Sequence, residues 1–238
     1  MLNSSRFYLA RENSQFAQSL PHGARVLDAG SGSRPYRSLF HHCRYESADL
    51  TELNGDDAGT HHACDLASIP VEADRYDAII FNQTLEHVPD PARVLAELFR
   101  VLRPGGRMIC TAPFFYEEHS HPLDFYRYTQ FGFRHLMDVA GFKIERLDWM
   151  EGYFGTVAYQ LETAFKYLPS SPSQIAPGIV GLLSAPLITF ARGLFWVGAQ
   201  GFYRLDVRTK YTERGFPKNY VLITYKPQSG LVPADGGT

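Results

Sequence analysis

The sequence predicts an α/β fold, a Rossmann-like and mostly parallel sheet with helices on both faces. Three observations carry this. Residues 24–28 form a short apolar run ending on the carboxylate of Asp28, and Gly30 and Gly32 follow at once. Pro35 then suits the first turn of a helix, where its missing N–H does no harm. Along 24–149, β-rich apolar runs alternate with segments of helical spacing, the pattern of strands joined by crossover helices. A strand, a glycine turn and a helix in succession also let a nucleotide-like ligand approach the backbone at a switch point of the sheet.

In chain order, residues 1–20 suit an amphipathic helix, with Phe7, Phe16 and Leu20 toward the core and Arg11, Glu12 and Gln15 toward water. Strand 24–28 and helix 35–42 precede strand 44–50. Residues 51–62 are polar and loop-like. Strand 76–81 leads to helix 91–102, opened by Pro91 and stopped by Arg103-Pro104-Gly105-Gly106. Strand 107–113, helix 131–140 with Gly141 after it, and strands 142–149 and 219–226 complete the pattern. Helix 153–168 ends at a Pro/Ser break over 169–172. The apolar run 175–202 is interrupted by Pro177, Pro186 and Arg192, so a single spanning helix is not expected there.

At 238 residues, 45% of them apolar, the chain has room for one large domain. We assign 1–227 to it, with 152–218 as an apolar helical insertion and 228–238 as a Gly/Pro-rich flexible tail. A net charge of −2 offers no bulk attraction to nucleic acid. Cys43, Cys64 and Cys110 are far apart and lack CxxC spacing, which argues against disulfides and a zinc site and for a reducing cytoplasm. The N-terminal residues show no signal-peptide core. No run of about 18 apolar residues free of Pro and Gly occurs, so a plain transmembrane helix is not expected.

Asp49 lies 19 residues after Gly30, where a carboxylate can accept two hydrogen bonds from a ribose diol; Glu52 is the nearby alternative. A dinucleotide fingerprint would place its third glycine at position 35, which is Pro. The segment VLDAGSGSRPY (26–36) resembles motif I of the class I S-adenosylmethionine-dependent methyltransferases, with Arg34 in place of the third glycine. Leu85-Glu86-His87-Val88 after strand four, and Leu102-x-Pro104-Gly105-Gly106 before strand five, resemble the same family. The resemblance covers about residues 22–149 and the strand at 219–226. It implies seven strands with an antiparallel closing strand, and S-adenosylmethionine as cofactor. It also implies Asp28, Gly30 and Gly32 at the methionine portion, Asp49 at the ribose, and Asp65 with Leu66 at the adenine. Gln83 joins this cofactor set. An acidic strand end suits the cofactor's positive charge.

Residues 113–129, PFFYEEHSHPLDFYRYT, follow strand five and are dense in aromatic and ionisable groups. Their HPxDFYRYT pattern resembles a methyltransferase subgroup associated with cell-surface glycan or lipid-linked sugar chemistry. The expected base is His121, then His87, with Asp124 or Glu86 as orienter. Tyr116, Tyr126 and Arg127 are expected at the acceptor. Two alternatives stand: Glu86 and His87 tie a helix start to its neighbour, and Arg127 pairs with Asp124. Glu117, His119 and His121 match no standard ligand spacing, so no metal is expected. The insertion reads either as a lid or homodimer contact or, through 175–204, as a membrane surface beside a lipid-linked acceptor. The chain is thus expected to methylate a small-molecule, saccharide or lipid-linked acceptor at oxygen. Its expected place is the cytoplasm, peripheral to the inner membrane face in the membrane reading. A non-catalytic cofactor-binding subunit and a nicotinamide-dependent oxidoreductase are the alternatives.

Overall fold

The computed structural model describes residues 4–50 and 60–228. Glu52 and the tail beyond Gln228 lie outside them. The chain forms two compact units. One comprises Ala10–Asp148 and Asn219–Thr238, the other Met1–Leu9 and Trp149–Lys218.

The first unit holds a sheet of seven strands: β1 (Arg25–Ala29), β2 (Arg44–Asp49), β3 (Thr60–Ala63), β4 (Tyr76–Asn82), β5 (Leu102–Pro113), β6 (Lys143–Trp149) and β7 (Asn219–Tyr225). Their spatial order is β3-β2-β1-β4-β5-β7-β6. β1 to β5 pair in parallel, and β7 runs antiparallel to β5. β1 and β4 sit centrally and are buried almost throughout, which is why their sequences read as continuous apolar runs rather than alternations. The expected fold class is the observed one.

Several connections are shorter than expected. Among the described residues between β1 and β6, the α-helical crossovers are α2 (Pro91–Val101) and α3 (Gln130–Val139). The anticipated helix at 35–42 is a single 3-10 turn, Arg37–Phe40. Between β3 and β4 the chain crosses in turns, closed by Ser68 N–H to the Asp65 carbonyl (2.9 Å) and Val71 N–H to the Ile69 carbonyl (2.7 Å). Asp65, Ser68 and Pro70 favour turns over helix here. β3 occupies part of the stretch read as loop. β5 begins at Leu102, so Pro104-Gly105-Gly106 lies inside the strand; Gly105 donates to the Lys226 carbonyl at 2.7 Å and adopts φ +78°. In α1 (Ser4–Gln18), Phe16 is buried but Phe7 is exposed. Glu12, read as solvent-facing, is buried instead, because Arg146 of β6 pairs with it.

The second unit is built on two helices, α4 (Tyr153–Tyr167) and α6 (Gly178–Thr209), with the short α5 (Pro172–Ile175) between them. At one end, the Tyr8 hydroxyl donates to the Asp206 carboxylate at 3.0 Å. Gly152 and Gly155 press so close that an added Cβ would lie 2.5 Å from Asp206 oxygens. Lys218 donates to the Ser5 hydroxyl at 2.8 Å and lies 4.0 Å from the Tyr159 ring centroid. α6 overturns the expectation of broken helices: it continues through Pro186 for 32 residues, about 48 Å.

Glu46 ties β2, β3 and β4 together. Its carboxylate accepts from Tyr76 (2.7 Å), Arg75 (2.9 Å) and His62 (3.3 Å). Removing it strands three polar partners, two of them near the core. Glu46→Ala is expected to cost about 2–4 kcal/mol and Tyr76→Phe about 1 kcal/mol, read from urea midpoints at constant slope.

Candidate functional site

A cavity of about 480 Å³ opens at the carboxyl ends of β1, β2 and β4. Gly30, Gly32, Asp49, Asp65, Leu66 and Gln83 line it, six of the seven positions assigned to a cofactor. Gly30 sits at φ +72°, and a Cβ there would lie 2.3 Å from Thr84. Gly32 sits at φ +47° with open space where its Cβ would be. The second glycine therefore leaves room for a ligand, while the first leaves room for Thr84. Asp49 is fixed at the cavity wall by accepting the Gly32 N–H at 2.9 Å. Asp65 accepts from Ala67 N–H at 2.9 Å, an Asx turn that holds its carboxylate in place. Arg34 adopts the left-handed conformation, φ +54°, that the missing third glycine would have taken freely.

Asp28 does not line this cavity. It is only 4% exposed and accepts a hydrogen bond from Tyr45 on the neighbouring strand. Burial pushes its carboxyl up to about 6, against the lowering effect of that bond. Its contribution is to hold β1 to β2 beneath the glycine turn.

The aromatic loop is clamped onto the segment after β4. Phe125 N–H donates to the Glu86 carbonyl at 2.9 Å, and the Tyr128 hydroxyl to the Leu85 carbonyl at 3.0 Å. Tyr126 donates to the Pro89 carbonyl at 3.0 Å. The turn closed by Leu123 N–H on the Ser120 carbonyl (2.9 Å) brings Leu123, not His121, to the cavity. His121 is exposed and outside the lining. His87 lines the cavity, and its Nδ1 sits 2.6 Å from the Leu123 carbonyl. That contact assigns the ring proton to Nδ1 and leaves Nε2 with a lone pair. Burial lowers the His87 pKa below the usual histidine value, so the ring is neutral at neutral pH.

Asp124 and Arg127 are partners of each other. Two parallel bonds of 2.7 and 2.8 Å join them, and Asp124 also accepts from His119 N–H at 2.9 Å. Arg127 holds the Asp124 carboxyl well below the usual range. The pair braces the loop, so Asp124 does not orient His121. Tyr116 stands edge-on to His119, with ring centroids 4.9 Å apart, and neither it nor Tyr126 or Arg127 lines the cavity. Among the described residues, ligand atoms of Glu86, His87 and His119 lie within 4.8 Å of one another, a different trio from the one weighed in the sequence. Thr84, Arg93 and Leu123 also line the cavity and were missed, since no motif marks them; a lookout for small side chains just past β4 would have found Thr84.

Glu86 is fully buried, and neither carboxylate oxygen has a hydrogen-bond partner. Burial pushes its pKa up to about 8. A carboxyl raised this way keeps its proton in the folded chain while the unfolded chain loses its own. Stability is then full below about pH 4.5 and declines as pH rises toward 8. Glu86→Gln is expected to flatten that decline, a few kcal/mol at most, in urea unfolding series at pH 5, 6.5 and 8.

Residues 2–147 match the family model described as a methyltransferase domain. A probable S-adenosylmethionine-dependent methyltransferase of Mycolicibacterium smegmatis is 31% identical over 162 residues, covering 58% of this chain and 60% of that protein. A ubiquinone/menaquinone biosynthesis C-methyltransferase of Desulfotalea psychrophila is 27% identical over 135 residues, covering 51% and 52%. The chain thus spans about half the length of these curated relatives. Among solved structures, a putative methyltransferase from Bacillus halodurans superposes with a TM-score of 0.58 at 16% identity, over 92% of this chain and 99% of that one. The family match spans β1 to β5, the glycine turn and the segment after β4, and the cavity lining fits the cofactor that the turn implied: the chain belongs to the methyltransferase-domain family of S-adenosylmethionine-dependent proteins.

Proposed function

We propose that the chain transfers a methyl group to an oxygen of a small saccharide or lipid-linked acceptor, with His87 as the base. The observation that carries this is the His87 ring at the cavity wall, its Nδ1 held by the Leu123 carbonyl and its Nε2 left to accept. S-adenosylmethionine, when bound, supplies a methyl group on a positively charged sulfur. Asp49 would hold the ribose, Asp65 and Leu66 the adenine, and Gly32 would admit the ligand to the backbone. His87 Nε2 would take the acceptor's hydroxyl proton as the methyl–oxygen bond forms and the methyl–sulfur bond breaks, leaving the cofactor as a neutral thioether, and burial of the ring favours its neutral form. Leu123, carried by the braced loop, closes part of the cavity wall and would help to exclude water there.

The apolar helical unit supports the lipid-linked form of the acceptor, met at a membrane surface through 175–204. This would place the protein peripherally on the cytoplasmic face. The base assigned here is the second of the two expected from the sequence, since His121 stands outside the cavity.

Asp49→Ala is expected to weaken S-adenosylmethionine binding about 10- to 100-fold by calorimetry, a loss of about 1.4–2.8 kcal/mol. His87→Ala is expected to lower kcat about 10²- to 10⁴-fold, with His121→Ala close to the parent. Turnover should climb with pH through a midpoint below the usual histidine value, and this limb should vanish in His87→Ala. Label from methyl-labelled cofactor should enter the organic phase of a bacterial lysate. Tight cofactor binding with no label in either phase would instead mark a non-catalytic partner.

A further inference from the structure

Residues 169–191 contain no Lys, Arg, Asp, Glu or His. Six large apolar side chains of this stretch, Ile179, Val180, Leu182, Leu183, Leu187 and Phe190, are 58–75% exposed. α6 contains a window long and apolar enough to cross a membrane, and only 6% of that window is buried. A helix apolar on all sides in water lacks the face a core would cover. The charges around the stretch are mostly positive. Lys166 precedes it, and Arg192, Arg204, Arg208 and Lys210 follow. The span 152–218 holds seven Lys or Arg against three Asp or Glu, in a chain whose net charge is −2. This asymmetry complements an anionic lipid surface.

We infer that the end of α4, the 168–177 turn and the N-terminal half of α6 enter an anionic bilayer from one side as a re-entrant hairpin. The inference deepens the membrane contact proposed above and names its form. Arg192 sets the level. Its guanidinium donates to the Leu168 carbonyl and lies 4.7 Å from the Phe165 ring centroid, so both arms of the hairpin meet at one cation. From Arg192 to Gly178 the helix climbs about 21 Å, past the midplane of a hydrocarbon core of about 30 Å but short of its far side. The other arm starts at that same cation, so the chain returns to the side it entered.

Irregular backbone survives in lipid only where protein satisfies it. The turn meets that condition in part. Ser170 N–H and hydroxyl reach the Gln174 side chain at 2.9 and 3.1 Å, and the Ser171 and Ser173 hydroxyls pair at 3.2 Å. Ala176 N–H reaches the Pro172 carbonyl at 3.2 Å. Gly181 lets this turn lie directly on α6, since a Cβ there would stand 2.2 Å from the Ala176 carbonyl oxygen and 2.4 Å from that of Pro172. Pro186 inside the helix is likewise of a kind tolerated in membrane helices.

The test uses the full chain and vesicles of phosphatidylglycerol with phosphatidylcholine. The protein is expected to float with the vesicles, less so at high salt. Leu183→Asp is expected to lose flotation at least tenfold while binding S-adenosylmethionine as the parent does. A single tryptophan is then placed at position 183 or 194 (Leu183→Trp, Leu194→Trp) in a Trp149→Phe, Trp196→Phe background. Position 183 should be quenched most by lipid brominated near the bilayer centre, and position 194 by lipid brominated near the headgroups. Equal shallow quenching at both positions would replace the hairpin with an in-plane helix and overturn the inference. Absence of flotation, with a dimer in sedimentation, would overturn it in favour of a second copy covering the face. Flotation and quenching need no turnover, so a failed methyl-transfer assay leaves this result standing, and the converse holds.

Discussion

The site depends on one close approach. Thr84, just past β4, occupies the space that any side chain at Gly30 would need, and its hydroxyl lies 3.3 Å from the Gly30 carbonyl. This contact sets the glycine turn against the segment that carries Glu86 and His87. The turn presents Gly32 N–H to Asp49, and the Glu86 carbonyl receives the N–H groups of Phe125 and Tyr126. Two walls of one cavity are thereby built on neighbouring central strands, at the sheet edge where α/β proteins bind ligands.

The parts of this arrangement that local chemistry decides were legible in the sequence. Gly30 and Gly32 announce positive φ, and β1 and β4 announce burial on both faces. Pro91, together with Asp90 accepting from the Arg93 N–H at 3.1 Å, announces the start of α2. Seven strands and the antiparallel β7 followed from pattern and resemblance together. What stayed hidden depends on partners distant in sequence. Glu12 looks like a solvent-facing helix residue until Arg146 of β6 arrives. Asp28 reads as a cavity residue, but it is buried against Tyr45 of β2 and stands outside the lining. His121 outranked His87 because the loop's composition is visible while the turn at Ser120–Leu123, which aims Leu123 at the cavity, is not.

Pro186 taught a related lesson about helices. A proline removes one backbone bond and adds a clash, which ordinarily ends a helix in water. α6 nonetheless passes through it, and α4 packs on the half beyond Arg192. Reading each interruption as a stop divided one long element into several and obscured its length. The same exposed, uncharged half sets this chain apart from a compact cofactor-binding fold, in which such a surface would be covered.

β7 lies between β5 and β6 in the sheet, yet it follows α6 in the chain. Two strands already made must therefore wait for a third that is synthesised only after the most apolar helix of the molecule. Pairing of this kind is non-local and slow, and unpaired strand edges and exposed apolar surface coexist while it is pending. During synthesis, the helical unit has time to find its environment before the sheet is sealed. Chains released without lipid or a chaperone would carry both adhesive surfaces at once, which makes the order of events during biogenesis as consequential for yield as the stability of the finished fold.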